Sequence, residues 1–317
     1  MKLLLALLFT TAALHAAAPT FPARTWTSSD GKSSFEGKLM EFSETEVRIR
    51  RSADFNEFKL PLDKLSAEDQ AHIRGLLRDK RRDAGLKEGA YAAKITGQFV
   101  QGVSKQGLNY QLWGNPKLDA TKRYPIIIWL HGSGQSGDDN TSQMGGAPKN
   151  WTAEAAQSER PCFMLAPQCP DAAVGWKNQV ASNLLALVAD LTDHLPIDEN
   201  RIYLTGSSMG GFGTFHLATK FPNVFAACVP LCGGSDPKTA EALKTTPFWV
   251  FHGDQDDMVP VDRSRAIVAA VKAIGGTRMN YTELAGAGHG ITGMVYPNPE
   301  LHEWLFKQVK GAPDPSK

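Results

Sequence analysis

Three residues of this chain could together activate a hydroxyl for attack on a carbonyl: Ser208, one of the carboxylates Asp254, Asp256 and Asp257, and His289. A serine hydroxyl is a weak nucleophile until a base takes its proton. A carboxylate that orients the base also stabilises its charged form. Ser208 stands in Gly206-Ser207-Ser208-Met209-Gly210, a G-x-S-x-G pattern between the apolar Ile202-Tyr203-Leu204 and the small-then-amphipathic Gly211 to Lys220. A strand, a tight turn and a helix are expected there, with the hydroxyl raised above the strand end. The aspartates follow the strand-like Phe248 to Phe251, in His252-Gly253-Asp254-Gln255-Asp256-Asp257-Met258-Val259-Pro260. His289 lies in Gly286-Ala287-Gly288-His289-Gly290, after the strand-like Met279 to Leu284. The other histidines read as structural. His131 and His252 each precede a glycine at a strand end and are expected to brace backbone, while His72, His194, His216 and His302 fall on helices.

Attack on a carbonyl builds negative charge on its oxygen, and two backbone N–H groups aimed there stabilise it. Met209, just after the serine, is expected to supply one. The other is expected from Leu130-His131-Gly132-Ser133-Gly134-Gln135-Ser136-Gly137, at Ser133, with Gly134 as the neighbouring alternative. Read as a phosphate cradle, this glycine-rich loop lacks the lysine that such loops need. Trp176 and Gly134 are the candidates for substrate contact. Trp176 and Trp151 each read either as the wall of an acyl or sugar pocket or as ordinary packing. Met294 to Pro297 could border the same cleft. The four cysteines, Cys162, Cys169, Cys228 and Cys232, read as small buried hydrophobes, without the histidine spacing of a metal site. No metal and no organic cofactor is implied.

The elements that must position these residues alternate in type. Tyr124–Leu130 is a continuous apolar run, and the strand-like runs 163–166, 202–204, 226–231, 248–251 and 279–284 follow it. Helical patterns separate them, notably 180–194, 263–274 and 299–310. Such runs with helices between them predict a mostly parallel sheet covered on both faces. Ligands then bind beyond the carboxyl ends of the strands, where every candidate above falls. A catalytic domain is therefore expected over 92–311, with a polar tail at 312–317. Residues 20–75 instead alternate in short strands, 24–27, 34–42, 46–51 and 57–60. A helix follows, opened by the capping-box-like Ser66-Ala67-Glu68-Asp69. This predicts a small β-barrel with a terminal helix. Residues 76–91 read as a charged helical connector, whose basic run Arg78 to Arg82 is interleaved with acid and reads as a solvated helix end.

The chain has 317 residues and a formal net charge of +1. Residues 1–18 have the form of a signal peptide: Lys2, then an apolar Leu3 to Leu14, then Ala16-Ala17-Ala18. No cysteine lies near the cut, so no lipid anchor is expected and a secreted protein, periplasmic or extracellular, is. A charge near zero gives no reason to expect nucleic acid or a membrane surface as partner.

The order Ser, Asp, His is that of the α/β-hydrolase fold and differs from the orders of chymotrypsin and subtilisin. His252-Gly253-Asp254-x-Asp256-x-x-Val259-Pro260 resembles the carboxylesterase and acyl-thioesterase pattern, which implies that Asp256 holds the histidine. Members of that family often carry proline where this chain has Asp257, which keeps Asp257 as the alternative; Asp254 is expected to tie down its own turn. Trp129 to Gly134, Leu165-Ala166-Pro167-Gln168-Cys169-Pro170 and Asp198 through Gly213 resemble the esterase and prolyl-oligopeptidase-like branch, close to secreted feruloyl-type and polysaccharide-ester esterases. Arg24-Thr25-Trp26-Thr27, Gly31-Lys32, Phe35 to Leu39 and Leu60 to Ser66 resemble the Sla-type homology domain, an SH3-like barrel with a binding or spacing role and no fixed ligand class. The resemblances imply a secreted serine hydrolase of carboxylic esters. Its substrate would be a small ester or one linked to a polysaccharide. A peptidase of the same branch, or a binding protein acting through the barrel, are the rival readings.

Overall fold

The computed structural model describes residues 21–313. The expected leader lies outside them, as do residues 314–317 of the tail. The chain divides into two units between Arg78 and Asp79.

In the first unit, β1 (Ala23–Thr27), β2 (Ser34–Phe42), β3 (Glu46–Arg51) and β4 (Glu57–Pro61) form an antiparallel meander in chain order. A 3-10 turn at Leu62–Lys64 and helix α1 (Ala67–Ala84) follow. The strands alternate because one face is buried. Trp26, Leu39, Val47 and Ile49 point inward onto Leu62, Leu65 and Ile73. The Trp26 indole donates to Gly37 O at 2.9 Å. Ser66 caps the helix as its sequence implied, its hydroxyl accepting from Asp69 N–H at 3.2 Å and donating to the Asp69 carboxylate at 2.9 Å. Among the described residues the expected barrel is a four-stranded sheet, with one isolated bridge, Ser28–Leu65, beyond its outer strands. The helix runs past the expected boundary at 75 because nothing in Leu76 to Ala84 breaks it; Gly85 is the first such residue.

The second unit is an eight-stranded sheet in the order β12-β11-β10-β9-β7-β8-β6-β5. Its strands are β5 (Val100–Val103), β6 (Asn109–Trp113), β7 (Tyr124–Leu130), β8 (Phe163–Pro167), β9 (Ile197–Ser207), β10 (Ala227–Leu231), β11 (Phe248–Gly253) and β12 (Met279–Leu284). β7 through β12 run parallel, and the β5–β6 hairpin adds antiparallel to β8. Every residue of β7 is buried, and its side chains divide between two cores. Ile126, Ile128 and Leu130 join helices α4 (Asn178–His194), α5 (Met209–Lys220) and α7 (Asp262–Ala273) on one face. Ile127 and Trp129 join α9 (Pro299–Lys307) on the other. This is the two-faced burial that continuous apolar strands require. The short helices are α2 (Lys149–Thr152), α3 (Glu154–Glu159), α6 (Ala240–Leu243) and α8 (Thr292–Val295).

The connections leave β7 toward β8 and leave β9 toward β10 on the opposite side. β7 and β9 are neighbours, with Leu130 beside Gly206. The strand order therefore reverses between them, and a crevice opens beyond their carboxyl ends.

Candidate active site

Ser208 sits in that crevice, between the end of β9 and the first residue of α5. Its φ of 58° and ψ of −119° lie where a residue with a Cβ is strained. The surroundings impose this turn. Ser208 N–H donates to Leu231 O of β10, and Ser208 O accepts from Phe212 N–H, each at 3.0 Å. Two close approaches explain the glycines. A Cβ on Gly206 would stand 2.6 Å from Gly210 O, and one on Gly210 would stand 1.9 Å from Leu130 O. Backbone blocks both, so only a shift of strand or helix could make room. Gly210→Ala is expected to destabilise the protein by about 3 kcal/mol or more, read as a lower denaturation midpoint. A midpoint within error of wild type would mean that α5 does not press on β7.

β11 and β12 are paired with Gly253 beside Leu284, so the loops leaving them start side by side. The first carries Asp256 and the second His289. His289 Nδ1 lies 2.8 Å from Asp256 Oδ2. The carboxylate can only accept, so the proton sits on Nδ1 and the Nε2 lone pair is left to take another. Asp256 Oδ1 accepts from Met258 N–H at 3.0 Å and Val259 N–H at 2.8 Å. Asp257 is exposed; it is Asp256 that meets the histidine. Asp254 holds something other than its own turn: its carboxylate accepts from Gly286 N–H at 2.7 Å and so ties the two loops together.

The Asp256 side chain is inaccessible to solvent. Burial pushes its pKa up, but the Val259 N–H, His289, the Met258 N–H and the Cys232 thiol together outweigh that and hold it below the ordinary carboxylate value. A lowered folded-state pKa stabilises the fold at pH values above the ordinary one, and the gain is lost as pH falls through the lowered value. Acid unfolding of wild type is therefore expected to draw on this group. In Asp256→Asn the acid limb of the stability curve should flatten, and an unchanged limb would show that Asp256 is not held ionised by its neighbours.

One partner of Asp256 escaped the sequence reading. His252 is fully buried, and its Nε2 faces two acceptors, Asp256 Oδ2 at 3.2 Å and Val259 O at 2.9 Å. That nitrogen must carry a proton. Its Nδ1 lies 2.7 Å from the Ser264 hydroxyl, which lies 2.9 Å from Gly233 O. His252 therefore does more than brace backbone: it holds the same carboxylate oxygen that meets His289. A hydrogen bond to a charged group contributes about 1.5–3 kcal/mol. His252→Leu is expected to lower kcat by about ten- to a hundredfold with little change in KM, and His252→Gln to recover part of it. Equal kcat in wild type and His252→Leu would assign His252 to packing alone.

Ser208, His289, Ser133 and Gly134 line one open cleft of about 410 Å³, with Gly132, Gly145, Gly146 and Gly290 in its walls and Met258 at its edge. Ser133 starts a 3-10 turn, Ser133–Gln135. Met209 is the first residue of α5, and N–H groups at such positions have no partner within the helix. Gln135 fixes the Ser133 loop, accepting from Gly132 N–H at 3.2 Å and donating to Ser142 O at 3.0 Å. His131, buried beneath, accepts from Cys169 N–H at 2.9 Å and donates from Nδ1 to Gly132 O at 2.7 Å. Burial, against a smaller opposing effect of Gly132 O, keeps its pKa below the ordinary histidine value. It is a neutral strut, as expected.

Trp176 does not line the cleft. It is 1% exposed, its indole donates to His131 O at 3.1 Å, and its side chain fills the space that a Cβ on Gly213 would enter at 2.5 Å. The tryptophan is thus a buried support for the loop after β7, and the substrate contact expected of it is corrected. Trp151 is also buried, stacked on His302 at 4.2 Å. All four cysteines are buried and unpaired. Among the described residues, one group could hold a metal, Cys232 with Asp256 and His289. Burial pushes the Cys232 thiol up to about 12, and its Sγ lies 3.4 Å from His289 O. With the carboxylate and imidazole already bonded to each other, the group reads as a hydrogen-bond network.

A family profile described as the Prolyl oligopeptidase family matches residues 172–242, which include the elbow. NocK of Nocardia uniformis subsp. tsuyamanensis, whose name marks it an esterase by inference, is 27% identical over 52% of this chain and 50% of its own. The probable feruloyl esterase C of Aspergillus flavus is 25% identical over 60% of this chain and 70% of its own. A crystal structure of a thermostable esterase superposes with a TM-score of 0.62 at 35% identity, covering 67% of this chain and 63% of that one. The chain thus spans about half the length of NocK and under two thirds of the thermostable esterase. The sheet order, the strained serine at its switch point and these likenesses place the second unit in the α/β-hydrolase superfamily.

Proposed function

We propose that this protein is a serine hydrolase of carboxylic esters. The observation that carries the reading is the Asp256–His289 pair, 2.8 Å apart, with His289 lining the same cleft as the strained Ser208. Ser208 attacks the ester carbonyl. His289 Nε2 takes its proton and later gives it to the leaving alcohol. Asp256 keeps the Nδ1 proton in place and stabilises the imidazolium. The N–H groups of Met209 and Ser133 receive the oxyanion, and water, activated by His289, then releases the acid. No step calls for a metal or an organic cofactor. The esterase names among the relatives support this reading, and the feruloyl esterases among them support an ester joined to a polysaccharide. The peptidase reading draws on one observation, the match to the Prolyl oligopeptidase family. Export by residues 1–18 and an SH3-like binding or spacing role for residues 20–75 complete the proposal. The bridge Ser28–Leu65 and the Trp26-centred core support the second.

The test is a panel of acetyl, butyryl and feruloyl esters, acetylated xylan and a peptide p-nitroanilide. Turnover of one or more esters with none of the anilide is expected. Turnover of the anilide alone would replace the esterase reading with the peptidase one.

A further inference from the structure

A second cleft, of about 520 Å³, opens at the same end of the sheet. It lies between α5, the segment after β10 and the first turn of α7, with Lys177 just before α4. Two segments connect it to the Ser208 cleft. Phe212, one helical turn after Ser208, lines the second cleft, and four helical residues rise only about 6 Å. Met258 lines the first and Asp262 the second, so even extended chain separates them by at most about 14 Å.

The lining is chemically uneven. Its carboxylates are already engaged: Asp236 accepts from Lys238 N–H at 2.9 Å, and Asp262 pairs with Arg265 at 2.9 Å. Its cations are not. Among the described residues neither Lys177 nor Arg263 is held in an ion pair, though both line the cleft. His216 reports the resulting field. Burial first, then the positive charges of Lys177 and Lys220, hold its pKa below the ordinary histidine value. The Ser235 and Thr239 hydroxyls, 2.9 Å apart, and the half-buried ring of Phe212 complete the lining. A planar guanidinium with no partner suits a carboxylate, hydroxyls suit sugar hydroxyls, and an aromatic face suits the apolar face of a sugar ring.

We propose that this second cleft binds a sugar carboxylate, a uronate unit of an acidic oligosaccharide, on Arg263 and Lys177. An ester on a nearby sugar of the same chain then reaches Ser208. The inference rests on the ester-hydrolase reading for what happens at Ser208, but not for the binding itself.

The test is calorimetric binding to full-length Ser208→Ala of a xylo-oligosaccharide carrying a glucuronate branch and of the same oligosaccharide without it. The charged ligand is expected to bind about tenfold tighter or more. That preference should shrink as salt screens the charges and vanish when Lys177→Gln and Arg263→Gln are added. Equal affinity for the two ligands, or a preference that survives both substitutions, would overturn the proposal. Wild-type turnover of p-nitrophenyl acetate judges the hydrolase reading separately. If that turnover is absent while the charged ligand still binds better, the hydrolase reading fails and the uronate site stands.

Discussion

Ser208→Ala is expected to lower kcat on a small ester by about 10⁴-fold or more, with KM little changed, because removal of the nucleophile leaves only the binding and oxyanion contributions. The fold should survive. Alanine meets the same strained φ of 58° as serine, and the two backbone hydrogen bonds of this residue do not use the hydroxyl. A thermal midpoint close to wild type, with turnover gone, is the expected pair of results. Retained turnover would place the chemistry elsewhere.

Asp256→Asn should be nearly as severe, about 10⁴-fold in kcat, by analogy with the effect of this change in other serine hydrolases. The Met258 and Val259 N–H groups both point at Oδ1, which fixes the amide oxygen there. The amide nitrogen must then stand where Oδ2 stood, 2.8 Å from His289 Nδ1 and 3.2 Å from His252 Nε2. An NH₂ there donates to Nδ1 and moves the histidine proton to Nε2, the position that must accept from Ser208. It also confronts the proton on His252. Both the wrong tautomer and a buried donor pair follow from one atom. Asp257→Asn, by contrast, is expected to change kcat less than twofold, since that side chain is exposed and lies outside the network. The reverse outcome, with Asp257→Asn inactive and Asp256→Asn active, would exchange their roles.

Much of this arrangement was legible in the residues. β7 falls on the run read as a strand, because an unbroken apolar stretch has few other uses, and β12 does so because Tyr281 and Thr282 favour a strand between polar neighbours. The Asp256–His289 pairing needed only the chain order and the loops beyond two adjacent strands. The β5–β6 hairpin was not read. Gln101-Gly102 breaks the four-residue β5, and Asn109 and Gln111 interrupt the apolar pattern of the short β6, Asn109-Tyr110-Gln111-Leu112-Trp113. Gln111 is nonetheless buried, because its amide reaches Asn140 O at 2.7 Å, a partner far away in sequence. The start of β9 was missed for a similar reason: Asp198-Glu199-Asn200 reads as a turn, yet the strand begins at Ile197. Trp176 could have been wall or strut. Only the fit of its ring against Gly213 and the hydrogen bond to His131 O decide it. In the sequence His252 reads as a backbone brace, because its contact with Asp256 depends on how the following loop folds back across the strand end.

The central claim is that Ser208 is the activated nucleophile. The most direct measurement is the intact mass and peptide map of wild type, Ser208→Ala and Asp256→Asn after brief exposure to diethyl p-nitrophenyl phosphate, which traps a serine activated by this chemistry. One diethyl phosphoryl adduct on the peptide bearing Ser208 is expected in wild type, with none in Ser208→Ala and far slower labelling in Asp256→Asn. An adduct on another residue, or equal labelling in all three proteins, would contradict the assignment.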